Sequence, residues 1–192
     1  DKEWAHEQHR RFSDFIDALK EAGVTFNIHH CCNSAGTLEL PDFHREMIRP
    51  GIIQYGYDAS KEVLVTGTKI KPVMSLRCCI THLKTIYEGD CVGYGRHFTA
   101  TGPTKIATLP IGYADGYNRA LSSKIDVIVH GVRAHQVGNI CMDQCMIDVS
   151  HIPNVKVGDE VVLFGEQGSE CVSADEIADT CHTIIHEITC NI

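Results

Sequence analysis

The spacing of apolar residues predicts a helical first segment followed by short strands. Apolar side chains recur at helical spacing near the start of the chain, and Gly23 follows as a stop signal. The apolar positions of this amphipathic helix are Phe12, Phe15, Ile16 and Leu19. Residues 24–28 and 47–48 are predicted as short buried strands, and each runs into a polar or glycine-bearing loop. This alternation indicates parallel βα units.

The pattern changes near residue 68 to short β-rich runs separated by turn signals. Strands are predicted over residues 73–80, 104–109, 125–129, 145–149 and 160–164. One helix follows, in which Ser173 and Glu176 form a capping box. Its apolar face comprises Ile177, Cys181, Ile184 and Ile188. The predicted fold class is α/β plus β, with βα units in residues 1–68 and a mostly antiparallel β-domain with one terminal helix in residues 69–192.

Composition narrows the classes of partner that the chain can bind. The 192 residues carry a formal net charge of -8 and contain no run of Lys or Arg. Nucleic-acid backbones and anionic membranes both require a basic face, so we expect neither as the main partner. No apolar run approaches the roughly 20 residues of a membrane span, and the first residues lack the pattern of a signal peptide. We therefore expect a cytoplasmic protein with a small ligand.

The ten cysteines and 12 histidines require a test for zinc or disulfides. Residues 31–32 and 78–79 are adjacent cysteine pairs, and no spacing matches the paired CxxC or HxxxH arrangement of a zinc site. His29 and His30 at a predicted strand end point to opposite sides, so they do not chelate one ion easily. We therefore predict no metal site. We expect the cysteines to act as small buried hydrophobic residues in a reducing compartment.

Five segments in order resemble alanine racemase over nearly the whole chain. They are residues 29–35 (HHCCNSA), 49–56 (RPGIIQYG), 89–95 (GDCVGYG), 109–117 (LPIGYADGY) and 137–144 (VGNICMDQ). Any one of these segments is weak evidence for the family on its own, but five segments in the same order with matching gaps are specific evidence for it. The chain is identified by them as a member of this family.

The resemblance implies an enzyme that interconverts L- and D-alanine with pyridoxal 5'-phosphate (PLP) and supplies D-alanine for peptidoglycan. It implies that residues 1–68 are the last βα units of a (β/α)8 barrel that holds PLP. The β-domain would complete the active site from the other subunit of a homodimer. No lysine here stands in the family's cofactor-bearing motif, and the family continues past Ile192. We therefore expect a fragment truncated at both ends, which alone has no racemase activity.

Racemisation requires a base on each face of a planar carbanion, and the resemblance implies that Tyr94 is one of them. A free phenol has a pKa of about 10, so neighbouring cations or donors must favour its phenolate. Arg49 matches the family's arginine at the pyridine nitrogen of PLP, where its charge disfavours protonation. The phosphate-binding residues implied by the resemblance are Asn33, Ser34, Gly51 and Ile52, near predicted helix starts that suit an anion. The alternative for Ser34 is a plain N-cap, and both roles can coexist.

The resemblance assigns the substrate side of the site to the β-domain. The Met142 amide would hold the substrate carboxylate, and Asp143 would organise the pocket. Tyr113 and Arg119 match residues that line the access corridor of the family. Asn139 stands where relatives carry an arginine.

Two alternatives remain open at this stage. One is a serine racemase of the same family, as in racemase domains associated with glycopeptide resistance. The other is that the chain serves only as a binding or dimerisation module.

Overall fold

The structure is a computed structural model that describes residues 1–59 and 70–192. These residues divide into two compact units, Asp1–Val73 (unit 1) and Met74–Ile192 (unit 2). The predicted boundary near residue 68 lies outside the described residues. The described helices are α1 (Lys2–Glu21), α2 (Ser34–Glu39), α3 (Ala174–Cys181) and α4 (Ile185–Cys190). The described strands are β1 (Leu76–Cys79), β2 (His82–Ile86), β3 (Cys91–Val92), β4 (Phe98–Thr99), β5 (Thr104–Leu109), β6 (Asp126–Val129), β7 (Val132–His135), β8 (Cys145–Asp148), β9 (Glu160–Gln167) and β10 (Glu170–Val172).

Unit 1 begins with the long amphipathic helix α1, as predicted. The Asp1 carboxylate caps its start by accepting a hydrogen bond from the Trp4 N–H at 3.0 Å. The His9 ring on its packed face stacks on Phe43, with ring centroids 4.0 Å apart. Gly23, with φ of +81°, follows the end of the helix and confirms the predicted stop signal.

The two strands predicted in unit 1, over residues 24–28 and 47–48, are not formed. Val24, Phe26 and Ile28 are about half exposed, and no other described segment pairs with residues 24–28. A strand needs a hydrogen-bonded neighbour, so apolar spacing alone does not produce one. Residues 47–49 make two backbone bonds with the preceding loop, from Met47 to His29 (3.3 Å) and from Arg49 to Cys32 (2.9 Å).

Unit 2 is built from antiparallel strands in three groups within the described residues. One sheet has the order β1-β9-β6-β7, with β10 also paired to β9. A second has the order β2-β5-β8, and β3 pairs with β4. Strands β6, β8 and β9 supply much of the buried core, including Val127, Ile147 and Phe164. The mostly antiparallel β-domain predicted from the sequence is therefore present.

The strand boundaries agree best where apolar runs are fully buried. β5 matches the predicted residues 104–109, and β6, β8 and β9 begin within one residue of prediction. β1 covers only part of residues 73–80, since Val73 is 72% exposed and only residues 76–79 pair with β9. Strands β2, β3, β4, β7 and β10 were not predicted.

The single terminal helix predicted from the sequence is two helices. The Ser173 hydroxyl caps α3 by accepting from the Glu176 N–H at 3.1 Å, as expected. His182 then adopts a left-handed conformation with φ of 55°, which ends α3 before α4 begins. The break turns Ile184 away from the predicted apolar face, and this side chain is 60% exposed. No helix within the described ranges is long and apolar enough to cross a membrane.

Candidate functional site

In unit 1, two polar loops meet at the start of helix α2. The Asn33 side chain caps this helix by accepting from the Gly36 N–H at 3.0 Å. Ser34 is buried, and its hydroxyl oxygen accepts a hydrogen bond from the Gly51 N–H at 2.9 Å. Gly51 directly precedes the short 3-10 turn Ile52–Tyr55. The four residues predicted to bind phosphate, Asn33, Ser34, Gly51 and Ile52, therefore lie at the starts of two joined helical turns.

Arg49 lies beside this pair of turns. Its backbone N–H donates to Cys32 at 2.9 Å, and its guanidinium donates to the Cys31 carbonyl at 3.3 Å. Arg49 also lines a cleft of about 700 Å³ together with Cys32 and Asn33. Burial raises the pKa of the Cys32 thiol, so this thiol stays neutral near the fixed charge of Arg49.

These donors fit the cofactor that the resemblance implies. Because the Ser34 oxygen accepts from Gly51, its own hydrogen remains available to donate to an anion. The opening N–H groups of a helical turn have no acceptor within that turn, which suits a phosphate ester. Arg49 adds a permanent cation that is exposed to a ligand. The chemistry of the donor set thus matches a phosphate group and a ring nitrogen.

In unit 2, Tyr94 lies on an exposed turn between two glycines. Gly93 and Gly95 have φ of 73° and 77°, a region that favours glycine. The Tyr94 side chain is 78% exposed, and the Asn139 amide donates to the Tyr94 carbonyl at 2.8 Å. The backbone of this turn is therefore tethered while the phenol projects outward.

The segment that supplies this tether is itself anchored by a buried side chain. Gln136 is fully buried; its carbonyl accepts from the Ser123 N–H at 2.5 Å, and its amide donates to Gly138 at 3.0 Å. The space beside Gly138 is closed by Val92, whose carbonyl would lie 2.6 Å from an added Cβ. Gly138, which directly precedes Asn139, is thus held in place.

A cysteine flanks the Tyr94 turn. The Cys91 sulfur lies 3.4 Å from the Thr99 hydroxyl oxygen and accepts from the Arg96 guanidinium at 3.3 Å. Hydrogen bonding to Thr99, followed by that to Arg96, lowers the pKa of the Cys91 thiol. Arg96 therefore lies two residues from Tyr94, with its guanidinium held to Cys91.

The segment around Met142 packs directly onto the loop that begins at Gly112. The Tyr113 and Ala114 N–H groups donate to the carbonyls of Cys141 and Met142, each at 3.0 Å. An added Cβ at Gly112 would lie only 2.2 Å from the Cys141 carbonyl oxygen, so this approach requires glycine. Met142 and Asp143 are exposed, and the Met142 N–H makes no hydrogen bond with another described residue.

Tyr113 and Arg119, the two residues predicted to line a corridor, share a pocket of about 500 Å³. Asn118 and Asn191 also line it. The carbonyl of Asn191 would lie 2.1 Å from a Cβ added at Gly116, so the loop rests on the end of the chain.

The structure divides the predicted site residues between the two units. The predicted cofactor residues belong to unit 1, and the predicted base, substrate and corridor residues belong to unit 2. The structure brings Tyr113 next to the Met142 segment and ties Tyr94 to Asn139. The tether was not anticipated, although Asn139 stood out in the sequence as a departure from relatives. Within the described ranges, no group of three His, Cys, Asp or Glu side chains could hold a metal ion.

Comparison with known proteins gives consistent matches along both units. Residues 73–192 match the family described as alanine racemase, C-terminal domain, and residues 1–59 match the alanine racemase N-terminal domain. Alanine racemase 1 of Clostridium acetobutylicum is 46% identical over 191 residues, which cover 100% of this chain and 50% of the relative. Alanine racemase of Desulforamulus reducens is also 46% identical, over 99% of this chain and 50% of its own length.

Solved structures give the same result. Alanine racemase of Clostridium difficile 630 in complex with cycloserine superposes with a TM-score of 0.93 at 41% identity. The match covers 100% of this chain and 50% of the Clostridium difficile chain. The Bacillus anthracis alanine racemase with bound L-Ala-P gives a TM-score of 0.93 at 35% identity, over 100% and 49% of the two chains. The chain thus spans about half the length of the relatives it matches.

Proposed function

Because the chain belongs to the alanine racemase family, we propose that the complete protein interconverts L- and D-alanine with PLP. The observation that carries the proposal is the Tyr94 turn, which holds an exposed phenol on a tethered backbone. A proton-transfer group needs a fixed position and an accessible acidic atom, and this turn supplies both.

In this proposal residues 1–68 hold the cofactor and residues 69–192 act on the substrate. Bound PLP would acidify the α-hydrogen of the amino acid. Ser34 and the Ile52 N–H would donate to its phosphate, Gly51 holds the Ser34 hydroxyl in place through its own N–H, and Asn33 fixes the start of the helix from which Ser34 projects. Arg49 would interact with the pyridine nitrogen, where its permanent charge would disfavour protonation.

Tyr94 is the base on one face of the substrate. Its phenolate removes the α-proton from one alanine enantiomer, and its hydroxyl returns a proton to the same face in the reverse direction.

The Met142 segment and the corridor residues bind and select the substrate. The Met142 N–H donates to the substrate carboxylate, and Asp143 orients this segment. Tyr113 and Arg119 restrict which molecules pass through the pocket that they line. Asn139 stands where relatives carry an arginine, so one positive charge of the family's corridor is missing here.

We also propose a homodimer in which the active site is shared between subunits, working in the cytoplasm to supply D-alanine for peptidoglycan. Support comes from the resemblance. A preference for serine is not favoured, because the relatives are named alanine racemase and one structure binds L-Ala-P. A module that only binds or dimerises is also not favoured, because both family domains are matched.

The test is Tyr94→Phe in the complete protein, which removes only the ionisable hydroxyl. Turnover should fall in both directions by about 100-fold or more, the loss expected for a missing general base. In deuterated water the variant should still exchange the α-hydrogen of one enantiomer and lose exchange of the other. The matched control is Tyr87→Phe, another exposed tyrosine of unit 2, which should keep normal turnover. Equal exchange of both enantiomers by Tyr94→Phe at near-normal turnover would refute the assignment.

A further inference from the structure

We propose that Asn139 is a positioning residue that holds Tyr94 in place for proton transfer on its face of the substrate. This inference rests on the proposed function, because it concerns how the assigned base is fixed. Asn139 donates its side-chain amide to the Tyr94 carbonyl at 2.8 Å across 45 positions of sequence.

The Tyr94 turn needs such a tether because its own residues do not fix it. The Tyr94 side chain is 78% exposed in this chain, so packing within unit 2 does not hold it. The turn also contains Gly93 and Gly95, and glycine gives the backbone more conformational freedom than any other residue. A phenol on a short arm between two glycines requires a bond to the backbone if its oxygen is to stay within hydrogen-bond reach of a substrate.

Asn139 contacts the turn at more than its amide. A Cβ added at Gly93 would lie 3.3 Å from the Asn139 backbone nitrogen and 3.5 Å from its carbonyl oxygen. A Cβ added at Gly95 would lie 3.6 Å from the side-chain nitrogen of Asn139. The residue therefore lies against both glycines and bonds to the carbonyl between them.

Asn139 can act as a tether because its own backbone is immobilised. Gln136, buried completely, donates to Gly138, and the Ser123 hydroxyl donates to the same carbonyl at 3.3 Å. On the other side, the Ile140 N–H donates to the Ser122 hydroxyl at 3.0 Å. The buried Gln136 side chain has both its oxygen and its nitrogen hydrogen-bonded, so it holds the segment that carries Asn139 in place.

The chemistry of the contact distinguishes asparagine from close substitutes. Only a donor can bond to the Tyr94 carbonyl. Asn139→Ala removes the donor, whereas Asn139→Asp keeps the size and places a carboxylate oxygen against a carbonyl oxygen, which repels it. The aspartate variant should therefore displace the turn further than the alanine variant.

The test uses the complete protein with Asn139→Ala and Asn139→Asp, each alone and combined with Tyr94→Phe. The control is Asn154→Gly, which also removes an exposed asparagine side chain from unit 2 and tolerates the positive φ of 58° there. Turnover should fall about tenfold to 100-fold in the alanine variant and further in the aspartate variant. The control should keep wild-type turnover.

Two further readouts separate positioning from a general loss of structure. In deuterated water, Asn139→Ala should slow exchange of the same enantiomer that Tyr94→Phe affects and leave exchange of the other near normal. In the Tyr94→Phe background, Asn139→Ala should add less than about a twofold loss, because residues that act through one group are not additive.

The outcomes separate this inference from the proposed function. If Tyr94→Phe exchanges both enantiomers normally, the assigned base is wrong and the inference falls with it. If Tyr94→Phe behaves as proposed but Asn139→Ala slows both enantiomers equally, or adds its full loss in the Tyr94→Phe background, the positioning role is refuted while the base assignment stands.

Discussion

Replacing Gly112 by alanine adds one methyl group where two backbone segments of the candidate site approach each other closely. Gly112 has φ of -147°, an extended backbone that alanine also adopts, so the cost is steric. The new Cβ would lie 2.2 Å from the Cys141 carbonyl oxygen and 2.3 Å from that of Met142. These neighbours are backbone atoms, which cannot rotate away as a side chain can.

The loss of stability follows from how far the two segments must separate. Because a Cβ essentially never approaches another heavy atom closer than 3.0 Å, the Met142 segment must move by most of an ångström. That movement weakens the hydrogen bonds from Tyr113 and Ala114 to the same two carbonyls, each now 3.0 Å long. Overpacking together with weakened hydrogen bonds predicts a decrease of about 3 kcal/mol in the free energy of unfolding.

Urea unfolding of the 192-residue chain, followed by circular dichroism, measures this loss. The matched control is Gly102→Ala, since nothing lies within 4 Å of a Cβ added there. We expect Gly112→Ala to lower the urea midpoint with little change in the slope, and the control to stay within about 0.5 kcal/mol of the unsubstituted chain. A Gly112→Ala chain as stable as the control would refute the steric reasoning.

Three other changes test separate contacts. Tyr117→Phe should raise the free energy of unfolding by about 1 kcal/mol in urea titration, because this buried hydroxyl has no hydrogen-bond partner among the described residues; a less stable variant would contradict this. Arg133→Met should cost about 2 kcal/mol in the same assay, since it removes two bonds of 2.7 and 3.0 Å to Glu176; an unchanged midpoint would exclude a stabilising pair. The rate of Cys91 alkylation should rise with a pH midpoint below that of an ordinary thiol, because hydrogen bonds lower the pKa of the Cys91 thiol. Arg96→Met should raise that midpoint, and an unchanged midpoint would show that Arg96 does not lower the pKa.

Elements fixed by local signals were predicted well from the sequence. The helix stop at Gly23 and the N-cap bond of Ser173 to the Glu176 N–H both depend on residues within a few positions of each other; of the predicted capping box only this half is formed, because the Glu176 carboxylate bonds to Arg133. Strand β5 was predicted with both ends correct because its apolar run is almost wholly buried between β2 and β8. Such signals carry their own physical cause, and tertiary packing reinforces them.

Elements that depend on a distant partner were missed or misjudged. Strand β2 has a weak apolar pattern and exists because it pairs with β5 along its whole length. Strand β7 joins β6 through His130 and Gly131, whose φ of 52° and 72° match a two-residue hairpin turn. The sequence analysis expected turns between the β-rich runs but did not predict this hairpin. No sequence signal predicted the break at His182, since histidine is not a usual helix terminator.

The candidate site divides in the same way, which explains why motifs named its residues but not its geometry. Tyr94 and Met142 were found because they lie in short, specific segments with glycines at the positions where the backbone turns or approaches closely. What holds those segments are contacts across the fold, from Asn139 to Tyr94 and from Tyr113 to Cys141. A local pattern cannot report a bond between residues 45 positions apart. Motifs therefore predict which side chains react, whereas the supporting bonds that fix those side chains require the folded structure.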